Sequence, residues 1–94
     1  MPKAELLDDQ AIDRALAELP GWERVGDTLV KSFRFADFNA AVRFVSSLVP
    51  LADGMYHHPD VSIHWDTVEL ILWTHASGGI THRDLDLARG IEAR

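Results

Sequence analysis

The chain has 94 residues, room for one domain near the lower size at which a hydrophobic core holds without staples. Nine Lys and Arg against fifteen Asp and Glu leave a formal charge of −6, which opposes binding to nucleic-acid phosphates or to an anionic membrane surface. Cysteine is absent, which excludes disulfides, thiolate nucleophiles and cysteine-ligated metal or iron–sulfur sites, while a hydrophobic fraction of 47% is that of a folded chain.

One domain over residues 1–94 is expected, since no repeat or linker divides the sequence. The segment Met1-Pro2-Lys3-Ala4-Glu5 starts no secretion signal and no apolar run reaches the roughly 18 residues of a membrane span, so a cytoplasmic location is expected. Ile12, Ala15, Leu16 and Leu19 predict a helix over 9–19, capped by Asp8 or Asp9 and stopped by Pro20-Gly21. Trp22–Val25 and Leu29–Phe35 read as strands around a Gly26-Asp27 turn, although Lys31 falls on the apolar parity of Leu29, Phe33 and Phe35. Asp37 is placed to cap a second helix with the stripe Phe38, Ala41, Val42, Val45, Leu48, Val49 and Ala52. Pro50 interrupts that stripe; an interior proline costs roughly 3 kcal/mol, so a kink or early end is expected there.

After Gly54, Val61, Ile63 and Trp65 alternate with polar residues, and Val68, Leu70, Leu72 and Thr74 alternate with Glu69, Ile71, Trp73 and His75. Thr81-His82-Arg83-Asp84 has the form of a capping box ahead of a last helix carrying Leu85, Leu87, Ala88 and Ile91. The expected fold is α+β: a four-stranded antiparallel sheet with three helices on one face, in the order α-β-β-α-β-β-α. Ile71 and Trp73 then point away from the helices, so another subunit or a pocket wall should cover them.

The histidines carry the chemical signal. His57-His58-Pro59 follows the second helix, four residues after Asp53, and His75 ends the last strand. Taken singly, each has a bland reading: a polar loop for the pair, an ordinary edge residue for His75. A hairpin turning near Thr67 changes that, because it sets His75 opposite Pro59 and gathers three imidazoles and a carboxylate at one end of the sheet. His64 and His82 read as solvated surface, Asp84 as a capping residue, and Trp22 and Trp65 as core or pocket wall. No phosphate-binding glycine motif and no serine in a nucleophile elbow is present. Three histidines suit either a catalytic zinc site, for which adjacent His57 and His58 diverge awkwardly, or metal-free proton transfer near neutral pH. The residue types leave both open.

The spacing Asp53-x3-His57-His58-Pro59-x5-Trp65-x9-His75-x8-Asp84 resembles the signature of the pterin-4a-carbinolamine dehydratases, or 4a-hydroxytetrahydrobiopterin dehydratases. Gly21-Trp22, Phe33-x-Phe35-x-x-Phe38 and Gly79-Ile80-Thr81-x-x-Asp84-x-x-Leu87-Ala88 are similar to the same family. The resemblance implies an α+β fold, a homodimer or homotetramer, and loss of water from a 4a-hydroxytetrahydropterin to give quinonoid dihydropterin without metal or organic cofactor. It further implies a link to the aromatic amino acid hydroxylases that generate this substrate. By the resemblance, His57 and His75 are acid and base at the 4a-hydroxyl and N5, His58 orients the ring, Asp53 tunes a neighbouring His and Asp84 supports the site. Thr74 would contact the pterin through its hydroxyl or backbone, and Trp65 would help line the slot. Asp53 departs from the Glu frequent in the family, and Tyr56 stands where a smaller polar residue is expected. The competing reading is a non-catalytic interaction or dimerisation module of the same fold, of the kind that serves transcription factors.

Overall fold

Capping residues and apolar spacing account for the helices in the computed structural model, which describes residues 3–94; Met1 and Pro2, part of the expected domain and of the N-terminal pentapeptide, lie outside the described residues. Helix α1 (Asp9–Leu16) starts where Asp8 accepts a hydrogen bond from the Ala11 N–H at 2.8 Å, and it buries Ile12 and Ala15. It ends before the expected Leu19 because bonds from Glu18 N–H to Ala15 C=O and from Leu19 N–H to Leu16 C=O tighten the last turn ahead of Pro20. Strands β1 (Glu23–Val25) and β2 (Thr28–Arg34) flank the turn at Gly26, whose φ of 59° suits glycine.

The expected second helix is two helices. Helix α2 (Phe38–Ser47) is capped by Asp37, which accepts from Ala40 N–H at 2.8 Å; helix α3 (Val49–Met55) starts immediately after Leu48. Pro50 sits in the first turn of α3, where its missing N–H has no intrahelical partner to lose. It therefore opens a helix instead of kinking one.

Strands β3 (Asp60–His64) and β4 (Thr67–Leu72) complete an antiparallel sheet of order β1-β2-β4-β3. His64 pairs with Thr67, so the turn is the dipeptide Trp65-Asp66 and its centre precedes Thr67. The expected pairing of His75 with Pro59 is corrected by that register. The ladder ends at Asp60↔Ile71, so Pro59 and His75 both lie beyond it, His75 in the turn that follows β4.

Leu29, Val68, Leu70 and Leu72 share one face of the sheet and are fully buried. Ile12, Ala41, Leu48, Leu87 and Ile91 pack on them from the helices, including α4 (His82–Glu92). Each such aliphatic side chain contributes about 1.5–3 kcal/mol by leaving water. Lys31 is on this face because it runs along the core to its rim, where Nζ donates to Glu92 at 2.5 Å and to Pro20 C=O at 3.0 Å. Trp22 Nε1–H donates to the same Glu92 oxygen at 2.9 Å. The opposite face is open, and Ile71 lies on it half-buried between Val30 and Asp60.

Candidate active site

The end of α3 aims the first histidine. Tyr56 adopts the left-handed conformation (φ 51°, ψ 37°), its N–H bonds to Asp53 C=O, and the His57 N–H reaches back to Ala52 C=O at 3.1 Å. This pair of bonds is a Schellman cap, and it fixes the His57 backbone to the helix. The left-handed position favours Gly or Asn, and nothing in the structure explains why a tyrosine holds it.

His57 is buried, and its Nε2 lies 2.6 Å from Asp84 Oδ1. Asp84 has no solvent exposure and two further partners on Oδ2: the Thr74 hydroxyl and the Thr81 N–H, each at 2.9 Å. Thr81 Oγ1 lies 2.7 Å from Thr74 Oγ1 and accepts from Arg83 N–H, so the capping box of α4 and the histidine support share one carboxylate. A carboxylate only accepts, so His57 carries a hydrogen on Nε2, and in the neutral imidazole the lone pair is on Nδ1. Nδ1 has no partner among the described residues and retains solvent contact, since no buried side-chain nitrogen or oxygen there lacks one.

His57, His58, Asp60, Thr74, His75 and Arg83 line one cleft of about 310 Å³. His58 is exposed and hydrogen-bonds Asp53 at 2.8 Å, so the histidine that Asp53 meets is His58. His75 opens a short 3₁₀ turn (His75–Ser77) just past β4; its side chain is exposed, stacks against Trp73, and has Nε2 3.6 Å from Asp60 Oδ2. The three histidines are thus brought together as expected. Among the described residues, no three His, Asp or Glu side chains are arranged to hold a metal ion.

Two expected contacts change. Trp65 is not in the cleft: it occupies the β3–β4 turn at the other end of the hairpin, 71% exposed with φ 55°, roughly 17 Å from Asp60 at about 3.3 Å per strand residue. Thr74 does line the cleft, but its hydroxyl hydrogen goes to Asp84, its N–H bonds Gly79 C=O, and its C=O accepts from Ser77 and Gly78 N–H. Its polar atoms are engaged in supporting Asp84 and in closing the turn. Sequence reasoning missed Asp60, whose carboxylate accepts from Trp73 Nε1–H at 2.9 Å, and Arg83, the one cation from Lys or Arg at the cleft. The signal was Trp73 itself, a large residue on the open-face parity of β4.

Comparison with known proteins identifies the family. The family model described as Pterin 4 alpha carbinolamine dehydratase matches residues 5–94. A Thermomicrobium roseum protein assigned by name to pterin-4-alpha-carbinolamine dehydratase is 49% identical over 83 residues, covering 88% of this chain and 89% of its own. One from Thermosynechococcus vestitus, named likewise, is 49% identical over 88 residues, with 94% and 93% covered. The crystal structure of a transcriptional coactivator/pterin dehydratase from Brucella melitensis superposes with a TM-score of 0.86 at 31% identity, over 93% of this chain and 95% of that one. With the matching model spanning helix α1 to the end of α4 and the histidine cleft inside it, the chain belongs to the pterin-4-alpha-carbinolamine dehydratase family.

Proposed function

We propose that the cleft binds a 4a-hydroxytetrahydropterin and catalyses its dehydration to quinonoid dihydropterin. The observation that carries this reading is the pairing of His57 Nε2 with buried Asp84, which directs the other ring nitrogen, Nδ1, away from the carboxylate, in a cleft that also holds a second, accessible imidazole on His75. His57 Nδ1 takes the proton from N5 as general base. His75 gives a proton to the 4a-hydroxyl as general acid. The C4a–O bond breaks, water leaves, and the N5 electron pair forms the N5=C4a double bond; solvent exchange then resets both imidazoles. Substrate and product differ by one water, so the chemistry needs neither an oxidant nor a reductant. Positioned acid–base groups typically contribute about 10²- to 10⁴-fold. His58, held by Asp53, orients the ring at the cleft mouth.

This reading places the protein in the cytoplasm with soluble pterins, downstream of a pterin-dependent hydroxylase; no helix among the described residues is long and apolar enough to cross a membrane. It also includes self-association. Strand β3 is an unpaired edge beside an apolar groove of about 170 Å³ lined by Val45, Leu48, Val49, Ala52 and Val61, and Phe38, Val42, Val49, Val61 and Trp65 are exposed nearby. A second copy pairing at this edge, as a homodimer or within a homotetramer, would cover them. The same surface favours the second reading, an interaction module, for which the name of the Brucella melitensis relative is the precedent. Titration with a stable dihydropterin separates the two readings. Shifts in the ring resonances of His57, His58 and His75 support the catalytic cleft, and a fully folded protein with none of them perturbed favours the module.

A further inference from the structure

Asp60 brings to the cleft a carboxylate that the proposed steps leave unused. It is the first residue of β3, lies on the open face of the sheet, and is the only carboxylate lining the cleft among the described residues. Its Oδ2 accepts from Trp73 Nε1–H at 2.9 Å and lies 3.6 Å from His75 Nε2. The Trp73 ring packs on the His75 imidazole with centroids 4.0 Å apart and planes inclined by 45°. The three side chains therefore form a closed triangle: the indole holds the carboxylate, the carboxylate faces the imidazole, and the imidazole rests on the indole.

We propose that Asp60 is a positioning residue for His75, acting through its charge to keep that imidazole in the protonated, donating form; the assignment rests on the dehydration described above. A separation of 3.6 Å is too long for a hydrogen bond and short enough for attraction between charges. The other charged or titratable groups lining the cleft with His75 are Arg83, His57, His58 and Tyr56, none of them a carboxylate. Arg83 comes from α4, and His57 and His58 come from the loop after α3, where they are hydrogen-bonded to Asp84 and Asp53. Among the residues lining the cleft, Asp60 alone brings a carboxylate to His75. Trp73 supplies direction: a rigid indole tied to Asp60 restricts where the exposed imidazole can turn. This also explains why a tryptophan stands on the open face of β4.

The substitution Asp60→Asn isolates the charge, because its amide oxygen still accepts from the Trp73 indole. The titration of the His75 ring in the free protein, followed by NMR, should move to lower pH in Asp60→Asn while His82, paired with Asp86 on α4, stays unmoved. In the dehydration assay the variant should lose about tenfold in kcat at neutral pH, a part of what a positioned acid contributes, and recover toward wild type as the pH is lowered. An unchanged His75 titration, or a pH–rate profile superimposable on wild type, overturns the assignment. Absence of dehydration by the wild-type protein overturns the functional reading instead, and the free-protein titration still decides whether Asp60 governs His75.

Discussion

Replacing Asp84 by Asn tests the support of His57 at its centre. The carboxylate receives three donors: His57 Nε2–H on Oδ1, and the Thr74 hydroxyl and Thr81 N–H on Oδ2. An amide offers one oxygen and one NH₂. The Thr81 backbone N–H cannot reverse its polarity, so the amide oxygen has to face it, and the NH₂ then faces His57. His57 Nε2 must accept, its hydrogen moves to Nδ1, and the cleft is left with a donor where the proposed dehydration needs a base. The expected loss in kcat is about 10²- to 10⁴-fold, or roughly 3–5 kcal/mol of barrier. Shape and most hydrogen bonds survive, so the stability loss should be about 1–3 kcal/mol, with Tm falling about 4–8 °C per kcal/mol. Kinetics of 4a-hydroxytetrahydropterin decay, thermal melts, and ¹⁵N shifts of His57 read these separately. A folded Asp84→Asn protein that keeps wild-type kcat, or keeps the hydrogen on Nε2, refutes the reasoning.

Thr74→Val removes one donor to Asp84 without touching its charge. It should lower kcat by about tenfold with KM little changed, whereas a rise in KM alone would return Thr74 to the role of a pterin contact. Tyr56→Gly relieves a left-handed residue that is 87% exposed, and should stabilise the fold by about 1 kcal/mol; a lower melting temperature would count against the Schellman-cap account. The Asp66 carboxyl is held below its ordinary value of 3.8, first by the Thr67 hydroxyl and, against opposing burial, by Arg34. A depressed carboxylate pKa contributes stability that is complete above the ordinary value and is lost as the pH falls through the folded one. Wild type should therefore exceed Thr67→Val in stability at pH 7, with the gap closing below pH 3.8; a gap of constant size in acid contradicts this. Val61→Lys places a charge at the exposed β3 edge and should shift self-association toward monomer in light scattering, while an unchanged oligomer places the interface elsewhere.

Legibility followed the range of the forces involved. Asp8, Asp37 and Thr81 announce their helices because capping acts within three residues. Val68, Leu70 and Leu72 announce a half-buried strand because alternation is local. Pro50 signalled a break in the second helix, but whether it kinks that helix or starts another depends on the turn around Leu48. The shared end of His57 and His75 followed from one hairpin, although the turn itself was placed too late, at Thr67 instead of Trp65-Asp66. Trp65 was misplaced for the same reason: fixed spacing in a motif says nothing about which end of a strand a residue occupies. Least legible were the contacts made at long range. Asp84 could be read as a cap, but its bond to His57 joins residues 27 apart, and the grip of Asp60 on Trp73 and His75 spans the pleat of two strands. Side-chain direction decides such contacts, and a pattern of residue types does not carry it.

The most direct measurement is the ultraviolet decay of 4a-hydroxytetrahydropterin, generated by a phenylalanine hydroxylase, with wild-type protein, with His57→Ala and with His75→Ala. All three should be folded by circular dichroism. Catalytic acceleration by wild type, lost by at least 10²-fold in each variant, is the predicted result. A wild-type rate equal to the uncatalysed decay, or acceleration that survives both substitutions, would contradict the histidine cleft as the seat of a dehydratase.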